Sequence, residues 1–387
     1  MSEVEFELRK LGDLIEIYNN KRVPLSAKQR EGLEKIYPYY GAQGIVDYVD
    51  DYIFDGKYIL IAEDGENLKS NNKSICTLAT GKYWVNNHAH IIEGNDETNT
   101  DFLYYKLNSI SFAPYITGSA QPKLNKENLL NIELYIPSRE HQDKIAKVLT
   151  LLDQKIQTNN QINQELEAMA KTLYDYWFVQ FDFPDQNGNP YKSSGGKMVY
   201  SPERKREIPE GWGVEKLGDV AYLKAGGDKP SNISEIQSKE TPFPIYSNGL
   251  DNKGLYGYTN KATIHKKSLT VSARGTIGYI QRRFSSFFPI IRLISVTPKE
   301  EKMIGYIENF LKSIQFENSG SVQRQLTVPQ IDKLYILVPK NEVLKKYHSM
   351  TINYYFEVEN NEQQNQELIQ LRDWLLPMLM NGQVKVE

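Results

Sequence analysis

The sequence contains two copies of one long pattern. Residues 118–173 align without a gap with residues 320–375, an offset of 202 residues. The box "GSxQxxL" and the tetrapeptide "NQEL" occur in both copies in this register. A period near 200 residues is too long for a solenoid, whose units have roughly 20–50 residues. The pattern therefore predicts two whole domain-plus-helix units in one chain, related as a pseudo-symmetric pair.

The repeat continues upstream with changing offsets. Pro38 and Tyr40 match Pro244 and Tyr246 at an offset of 206, whereas the segment that begins at Tyr58 matches a later one at an offset of 210. Changing offsets mark insertions and deletions, which loops tolerate better than packed helices do. Each unit is therefore predicted to have a variable globular part followed by a constant helical part.

Apolar residues spaced alternately by three and four predict a long coiled-coil helix in each unit. One seam runs from Ile145 to Trp177 and the other from Tyr347 to Leu375. Two asparagines interrupt each seam at matching positions: Asn159 and Asn163, then Asn361 and Asn365. Buried asparagine fixes register at a cost in stability, so the two helices are predicted to pair with each other rather than to be unrelated surface helices. A helix of about 40 residues spans about 60 Å.

The predicted fold class is α+β, with two pseudo-symmetric α/β globular domains separated by two long antiparallel coiled-coil helices. Short strands such as "KYILIAE" and "GYIQRRF" and short helices such as "NTDFLYYKLNS" fill the globular parts. The stretch between the units is rich in Gly, Ser, Pro and Asn and predicts a loop or linker. The predicted boundaries are a first domain 1–137, a first helix 138–180, a linker 181–212, a second domain 213–339 and a second helix 340–380.

Charge is unevenly distributed along a chain whose net charge is only −3. From Asn252 to Lys299 there is no Asp or Glu, and nine Lys and Arg residues are interleaved with Tyr and Phe. Such a one-signed stretch is typical of a surface that neutralises phosphates. The alternative is a solvated basic face without a partner. The matching window of the first unit is mixed, because it contains several aspartates.

The sequence indicates no catalytic or metal site. His88 and His90 lie two positions apart on a predicted strand, but no Cys, Asp or Glu stands at ligand spacing. There is no G-x-x-x-x-G-K-[ST] loop for ATP. Asp185 followed by "ERK" from Glu203 imitates a nuclease motif, but the carboxylates lie at opposite ends of the predicted linker and cannot preorganise a metal ion. We therefore expect a non-catalytic chain without a metal.

Cys76 and the hydropathy pattern bear on location. One cysteine excludes an intramolecular disulfide, and its apolar surroundings favour a buried, unreactive side chain. No apolar run approaches the 18 residues of a membrane span, and no signal peptide is evident. The expected location is the cytoplasm.

Several segments together resemble the specificity (S) subunit of type I restriction–modification enzymes. They are "GSAQPKL" and "GSVQRQL", each followed by a strand, a proline and a long helix, and also "LYDYWFVQFDFP", "IPEGWGVEKLGDV", "SARGTIG" and "LRDWLLPMLMNGQV". The resemblance covers essentially the whole chain. The first unit departs from it, because it opens with "FELRKLGDL" instead of "IPEGW" and has "IAEDGEN" where the second unit has "SARGTIG".

The resemblance implies a division of labour. Each globular part would be a target recognition domain for one half of a split double-stranded DNA sequence. The paired helices would set the gap and dock two modification (adenine methyltransferase) subunits, with restriction subunits joining through the complex. S-adenosylmethionine, ATP and Mg²⁺ would belong to those partners, so this chain itself would hold no cofactor. Half-sites on one face of B-DNA lie roughly 34–36 Å apart, a separation within the reach of helices about 60 Å long.

Candidate DNA contacts follow from the chemistry of base recognition, in which Arg or Lys pairs with guanine and Asn or Gln with adenine. In the first unit the candidates are Lys21, Arg22, Tyr40, Gln43, Lys73, Gln121 and Lys123. In the second unit they are Asn248, Lys253, Tyr256, Lys261, Arg274, Arg282, Gln323 and Arg324. Gln121 and Gln323 belong to the repeated box, which favours a role in fixing a loop or meeting phosphate.

Two alternatives remain open at the level of sequence. The same kind of subunit could serve a methylation-only or type IIB-like system. A coiled-coil adaptor that joins two protein partners, with the basic window as a protein interface, belongs to another functional class.

Overall fold

A computed structural model describes residues 5–65, 68, 75–118, 122–316 and 325–386 of the 387-residue chain. The chain forms two compact units. The first is Met1–Asn160 with Glu362–Glu387, and the second is Gln161–Asn361. Each unit therefore combines one globular part with portions of two long helices.

The first globular part is mixed in secondary structure. Its strands are β1 (Phe6–Lys10), β2 (Ile15–Ile17), β3 (Tyr37–Gly41), β4 (Gly44–Val49), β5 (Phe54–Ala62), β6 (Cys76–Val85), β7 (Ala89–Gly94) and β8 (Glu133–Pro137). Its short helices are α1 (Ala27–Arg30), α2 (Thr100–Asn108) and α3 (Lys126–Leu130). The long helix α4 (Arg139–Tyr174) follows and ends in a π-helical turn, Asp175–Val179.

A six-stranded sheet in the order β2-β7-β5-β6-β3-β4 forms the centre of this globular part. All its pairs are antiparallel except β3 with β6. Alternate residues of β5 enter different core clusters. Ile59 and Ile61 pack with Phe102 of α2, whereas Leu60 packs with Tyr83 on the other face. Both faces of the second half of β5 are covered, which is why residues 59–62 form a continuous apolar run.

The second globular part has a different division into sheets. Its strands are β9 (Met198–Ser201), β10 (Arg206–Pro209), β11 (Gly213–Lys216), β12 (Ala221–Ala225), β13 (Phe243–Tyr246), β14 (Leu255–Thr259), β15 (Ser268–Val271), β16 (Ile280–Arg283), β17 (Phe288–Pro289), β18 (Ile294–Pro298) and β19 (Tyr335–Val338). Its helices are α5 (Leu217–Val220), α6 (Ile304–Lys312), α7 (Val328–Asp332) and the long α8 (Asn341–Met380).

Three strands of each globular part correspond in their pairing. In the second unit, β12-β18-β15-β16 and β14-β13-β17 form separate sheets. β13 pairs antiparallel with β14 and parallel with β17, as β3 pairs antiparallel with β4 and parallel with β6 in the first unit. The duplication seen in the sequence is therefore present in the strand pairing.

The asparagines of the seam pair α4 with α8 inside each unit. In the first unit, Asn159 Nδ2 donates to Asn365 Oδ1 at 2.9 Å. In the second unit, Asn361 Nδ2 donates to Asn163 Oδ1 at 2.9 Å. The same bond thus occurs once in each unit, with donor and acceptor exchanged between the helices as the repeat requires. A second contact in each unit, such as Arg372 with Asp153 at 2.8 Å in the first, shows that the pairing is antiparallel.

The segment 181–212 is folded, contrary to its prediction as a loop or linker. It contains the antiparallel hairpin β9–β10. Phe181, Phe183 and Trp212 are buried in the core cluster of the second unit, and Asp182 accepts hydrogen bonds from the amide and hydroxyl of Ser193 at 2.7 and 2.6 Å. Buried aromatic side chains fix both ends of the segment, so it is part of the folded domain in spite of its Gly- and Ser-rich composition.

Candidate nucleic-acid interface

The acid-free window of the second unit runs from the turn before β14 to the end of β18. Its cations fall into two groups. The exposed ones are Lys261, Lys266, Arg274, Arg292 and Lys299, and Lys253 and Lys267 are half-buried. Arg282 and Arg283 are largely enclosed by the fold. The charge count of the window therefore overstates the charge that this surface presents to a polyanion.

Arg282 belongs to a buried ion-pair network. Its side chain is 10% exposed, Nη1 lies 2.9 Å from Glu308 Oε2, and Nη2 lies 2.8 Å from Glu167 Oε1. Its guanidinium also lies 4.2 Å from the ring centroid of Tyr355. These contacts join β16 to α4, α6 and α8. A phosphate contact would have to break a pair with Glu308, which is 2% exposed, so the geometry argues against the predicted role of Arg282 as a DNA contact.

Arg283 supports the turn that precedes β14. Its Nη2 donates to the carbonyl of Lys253 at 2.5 Å, and its Nε donates to Thr270 Oγ1 at 3.2 Å. The guanidinium lies 3.5 Å from the ring centroid of Tyr246. Arg283 is 7% exposed, so it positions the backbone of Lys253 from inside the domain.

Asn248 connects three turns through its side-chain amide and its carbonyl. Nδ2 donates to the carbonyl of Ile291 at 2.6 Å, and Oδ1 accepts from the amide of Ala273 at 2.7 Å. The hydroxyl of Ser272 donates to the Asn248 carbonyl at 3.4 Å. The predicted contact residue Asn248 is thus engaged in holding the loops of this surface together.

Cations and aromatic rings alternate around these turns. The amine of Lys229 donates to the hydroxyl of Tyr256 and lies 4.2 Å from its ring centroid. Lys261 lies 5.7 Å from the ring centroid of Phe288. Arg274 is exposed, and its Nη2 donates to Gln325 Oε1 at 2.8 Å. The candidates Tyr256, Lys261 and Arg274 therefore lie in a surface of mixed positive and aromatic character.

Glu63 binds two of the candidates in the first unit. Arg22 Nη1 lies 2.7 Å from Glu63 Oε2, and Lys123 Nζ lies 3.4 Å from Oε1. Burial acts to raise the pKa of Glu63, but the hydrogen bonds from Arg22 and Lys123 and the charge of Arg22 outweigh it, so the pKa is lowered. This carboxylate stays ionised at neutral pH and offsets part of the positive charge that Arg22 and Lys123 offer.

The other described candidates of the first unit lie near β3. Tyr40 is half-buried, its ring meets Tyr83 edge to face at 5.4 Å, and burial raises its pKa. Gln43 is exposed in the turn between β3 and β4. Lys21 lies 4.8 Å from the ring centroid of Tyr18. Four predicted contacts lie outside the described residues: Lys73, Gln121, Gln323 and Arg324.

His88, which immediately precedes β7, and His90 of β7 have structural partners. His88 Nδ1 lies 2.8 Å from Asp64 Oδ2. His90 is buried between Asn19 and the carbonyl of Leu124, at 2.8 and 2.7 Å. The described residues contain no group of three or more His, Cys, Asp or Glu side chains that could hold a metal ion. Among the described residues, no helix is long and apolar enough to cross a membrane.

Residues outside the candidate set contribute to the same surface. Lys229 lies before the window and Arg292 lies inside it, whereas the buried Arg283 supports the surface from inside the domain. Ile291 is exposed, and its φ of +52° lies in the left-handed region. A signal for this site was present in the sequence. The repeat offset is 206 at Tyr246, which matches Tyr40, and 210 at Ser268, which matches Tyr58, so the second unit has an insertion between Tyr246 and Ser268.

Comparison with known proteins gives one consistent result. The family model "Type I restriction modification DNA specificity domain" matches twice, over residues 3–168 and 209–370. The MjaIX type I restriction enzyme specificity subunit of Methanocaldococcus jannaschii is 27% identical over 74% of this chain and 70% of its own length. A putative type I restriction enzyme specificity subunit of Haemophilus influenzae is 28% identical over 90% of this chain and 89% of its own length.

A solved structure supports the fold. The S subunit of a type I restriction–modification system from M. genitalium matches with a TM-score of 0.65 and 15% identity, over 98% of this chain and 97% of that one. At this identity the likeness concerns the fold alone. The two matches to the family model cover most of the chain and coincide with the two copies of the repeat. The chain therefore belongs to the family of type I restriction–modification DNA specificity subunits.

Proposed function

We propose that this chain is the non-catalytic subunit that recognises DNA for a type I restriction–modification enzyme. Each globular part binds one half of a bipartite double-stranded target, and α4 with α8 sets the gap between the halves. The observation that carries this proposal is the duplication, because two copies of one strand arrangement offer two related but unequal recognition surfaces.

The second globular part supports DNA binding by its surface chemistry. Exposed Lys261, Lys266, Arg274 and Arg292 carry positive charge, and Tyr256 is 42% exposed. Lys and Arg neutralise phosphates and release counterions. The first globular part is less positive around Glu63, so we expect it to depend more on hydrogen bonds and shape than on charge.

The outer faces of the long helices support binding of protein partners. Leu151 and Met169 of α4 are 55% and 51% exposed, and Leu371 and Trp374 of α8 are 43% and 58% exposed. Met169 and Leu371 occupy equivalent positions of the repeat. Leu371 and Trp374 are three positions apart and therefore lie on one face of α8, and exposed apolar side chains that form a patch are typical of a protein interface. We propose that they dock two modification subunits, which restriction subunits join, in the cytoplasm.

The assembled enzyme would methylate adenine and cleave DNA through those partners. S-adenosylmethionine, ATP and Mg²⁺ would bind to the modification and restriction subunits, whereas this chain would supply the specificity. A complex that methylates but has no restriction partner would use the same recognition surfaces.

Mapping methylated adenines in the source cell, with and without this gene, tests the proposal. We expect a split motif with a fixed gap to lose its methylation when the gene is deleted and to regain it when an intact copy is returned. An unchanged methylation pattern in a cell that makes the protein would contradict the proposal and favour a protein adaptor.

A further inference from the structure

Two adjacent turns of the second unit have an unusual backbone. One joins β13 to β14 and comprises Ser247–Gly254, and the other joins β17 to β18 and comprises 290–293. We call them the paired turns. The amide of Ile290 donates to the carbonyl of Tyr246 at 2.9 Å, and Asn248 Nδ2 donates to the carbonyl of Ile291 at 2.6 Å. The paired turns therefore form one connected surface.

The paired turns hold most of the left-handed backbone found at non-glycine residues. Of six such residues in the described chain, four lie here: Asn252 at φ +46°, Lys253 at +54°, Ile291 at +52° and Arg292 at +64°. A β-branched residue such as Ile291 is a genuine outlier at positive φ. Strain of this kind persists only where the surroundings enforce it, and it concentrates at functional sites.

The fold itself does not require the side chains of Asn252, Ile291 and Arg292. Ile291 is 41% exposed and the neighbouring Leu250 is 49% exposed, and Asn252 and Arg292 are exposed as well. Glycine would adopt the same φ without steric cost. By contrast, Gly254 is needed to close its turn, because a Cβ there would lie 2.5 Å from the carbonyl of Ser247. An exposed isoleucine held in a costly conformation indicates a role outside folding.

Side chains beneath the surface hold the left-handed backbone of the paired turns in place. Arg283, which is 7% exposed, donates to the carbonyl of Lys253 at 2.5 Å. Asn248 holds the second turn at Ile291 and the loop before Arg274 through the amide of Ala273. The strained residues are therefore held in place, with their side chains directed by a fixed backbone.

The first unit has the same pair of turns in a shorter form. In the first unit Tyr40 pairs with Ile45, and four residues, Gly41 to Gly44, separate them. In the second unit the matching pair is Tyr246 with Leu255, and eight residues separate them. The four additional residues account for the change of repeat offset from 206 to 210. The amide of Asn86 donates to the carbonyl of Tyr40 at 3.0 Å, as that of Ile290 does to Tyr246. The insertion between the two copies thus falls in this turn.

We propose that the paired turns make the base-edge contacts to the second half-site, an inference that rests on the proposed function. Lys253 and Arg292 have the donors that match guanine O6 and N7, Asn252 has the amide that matches adenine N6 and N7, and Ile291 suits a thymine methyl group. Asn248 and Arg283 act as positioning residues. A phosphate contact tolerates a mobile cation, whereas discrimination between bases requires side chains in fixed positions.

Competition binding with the assembled enzyme tests this inference. The probes are duplexes in which each base pair of the two half-sites is changed in turn. Arg292→Ala and Asn252→Ala are each expected to reduce discrimination about 5- to 150-fold at one base pair of the second half-site. Discrimination at the first half-site should not change. Lys266→Ala removes an exposed cation of the same unit outside the paired turns and should weaken binding uniformly across all probes.

A second variant separates recognition from folding. Ile291→Gly relieves the backbone strain, so we expect a melting temperature equal to or above that of the unchanged protein, together with weaker discrimination at one base pair. Uniform weakening on all probes by the paired-turn variants would overturn the inference and leave the proposed function intact. An unchanged protein that does not discriminate between any of the probes would overturn the proposed function and this inference with it.

Discussion

Arg282 has two acidic partners, and its removal is expected to destabilise the second unit. Arg282→Met would leave Glu308, which is 2% exposed, with its ion pair to Lys312. Breaking a buried pair from one side costs about 3–5 kcal/mol. Because Lys312 remains, we expect the free energy of unfolding to fall by about 3 kcal/mol. Urea unfolding of the full chain measures this change.

Arg274→Ala is the matched control for Arg282, since Arg274 is exposed. It should change the free energy of unfolding by less than about 0.5 kcal/mol. If Arg274 meets a phosphate, its loss should also flatten the log–log salt dependence of DNA binding by about one. Arg282→Met should leave that slope unchanged. A flatter slope for Arg282→Met at undiminished stability would show that Arg282 contacts phosphate.

His90 predicts a loss of stability on mild acidification. Burial is the largest influence on its pKa and lowers it from 6.5. Its Nδ1 accepts from Asn19, so Nε2–H donates to the carbonyl of Leu124, and the neutral ring satisfies both nitrogens. Glu63 at 4.0 Å raises the pKa, but not enough to reverse the direction.

The sign of this pH effect follows from the lowered pKa. Above pH 6.5 the ring is neutral in both the folded and the unfolded chain, and its contribution is constant. As the pH falls from 6.5 towards the folded pKa, only the unfolded chain takes up the proton, so stability falls by at most about 1.4 kcal/mol per pH unit. Urea midpoints between pH 7.5 and 5 should decrease less in His90→Gln than in the unchanged chain. Parallel curves would contradict this assignment.

Residue types alone could not separate structural from exposed cations. The acid-free window predicted a positive surface, but it also counted Arg282, whose acidic partners Glu167 and Glu308 lie outside the window. Likewise, Asn248 was selected for its amide chemistry, whereas its amide holds Ile291 and Ala273. Such roles depend on tertiary neighbours, which a single sequence does not reveal.

At the scale of elements, the seam asparagines offer a test of helix pairing. Asn163→Leu would remove the acceptor for Asn361 Nδ2 and is expected to cost about 1–3 kcal/mol, because a buried donor is left unsatisfied. The double variant Asn163→Leu/Asn361→Leu replaces both amides by apolar groups and should cost less than either single change. Unfolding free energies of the four proteins form a double-mutant cycle. Additive costs would show that the two side chains do not interact.

Helices and strands differ in how well their sequences predicted them. The seam from Ile145 onwards was predictable because its period persists over many turns, and α2 and β16 coincide with segments predicted as a helix and a strand. The segment 181–212 was misjudged because its Gly and Ser content was weighed above the aromatic residues at its ends, which the core buries. The strained turns could not be predicted, since Ile has no preference for positive φ.

At the scale of the whole molecule, the first unit is not continuous in sequence. Its core cluster combines Phe102 and Leu134 of the globular part with Ile145 of α4 and Leu379 and Met380 of α8. Lys106, which is 6% exposed, donates to the carbonyl of Met380 at 2.9 Å. Leu379 and Met380 of α8 therefore stabilise the domain that the first globular part forms, so a recognition domain exchanged as 1–137 alone would lose matched partners.

Two chimeras with a relative's domain test this consequence together with the modularity of recognition. One replaces 1–137, and the other replaces both 1–160 and 362–387, so that the foreign domain keeps its own helix contacts. Both should change the same single half-site of the methylated motif, because both carry the same foreign recognition surface. The second should be more stable, since removing partners from about two buried apolar side chains costs roughly 2–5 kcal/mol each.

Methylation mapping reports the motif, and thermal unfolding reports stability. A change in both half-sites would contradict modular recognition, whereas equal melting temperatures would show that the C-terminal residues do not stabilise the first unit.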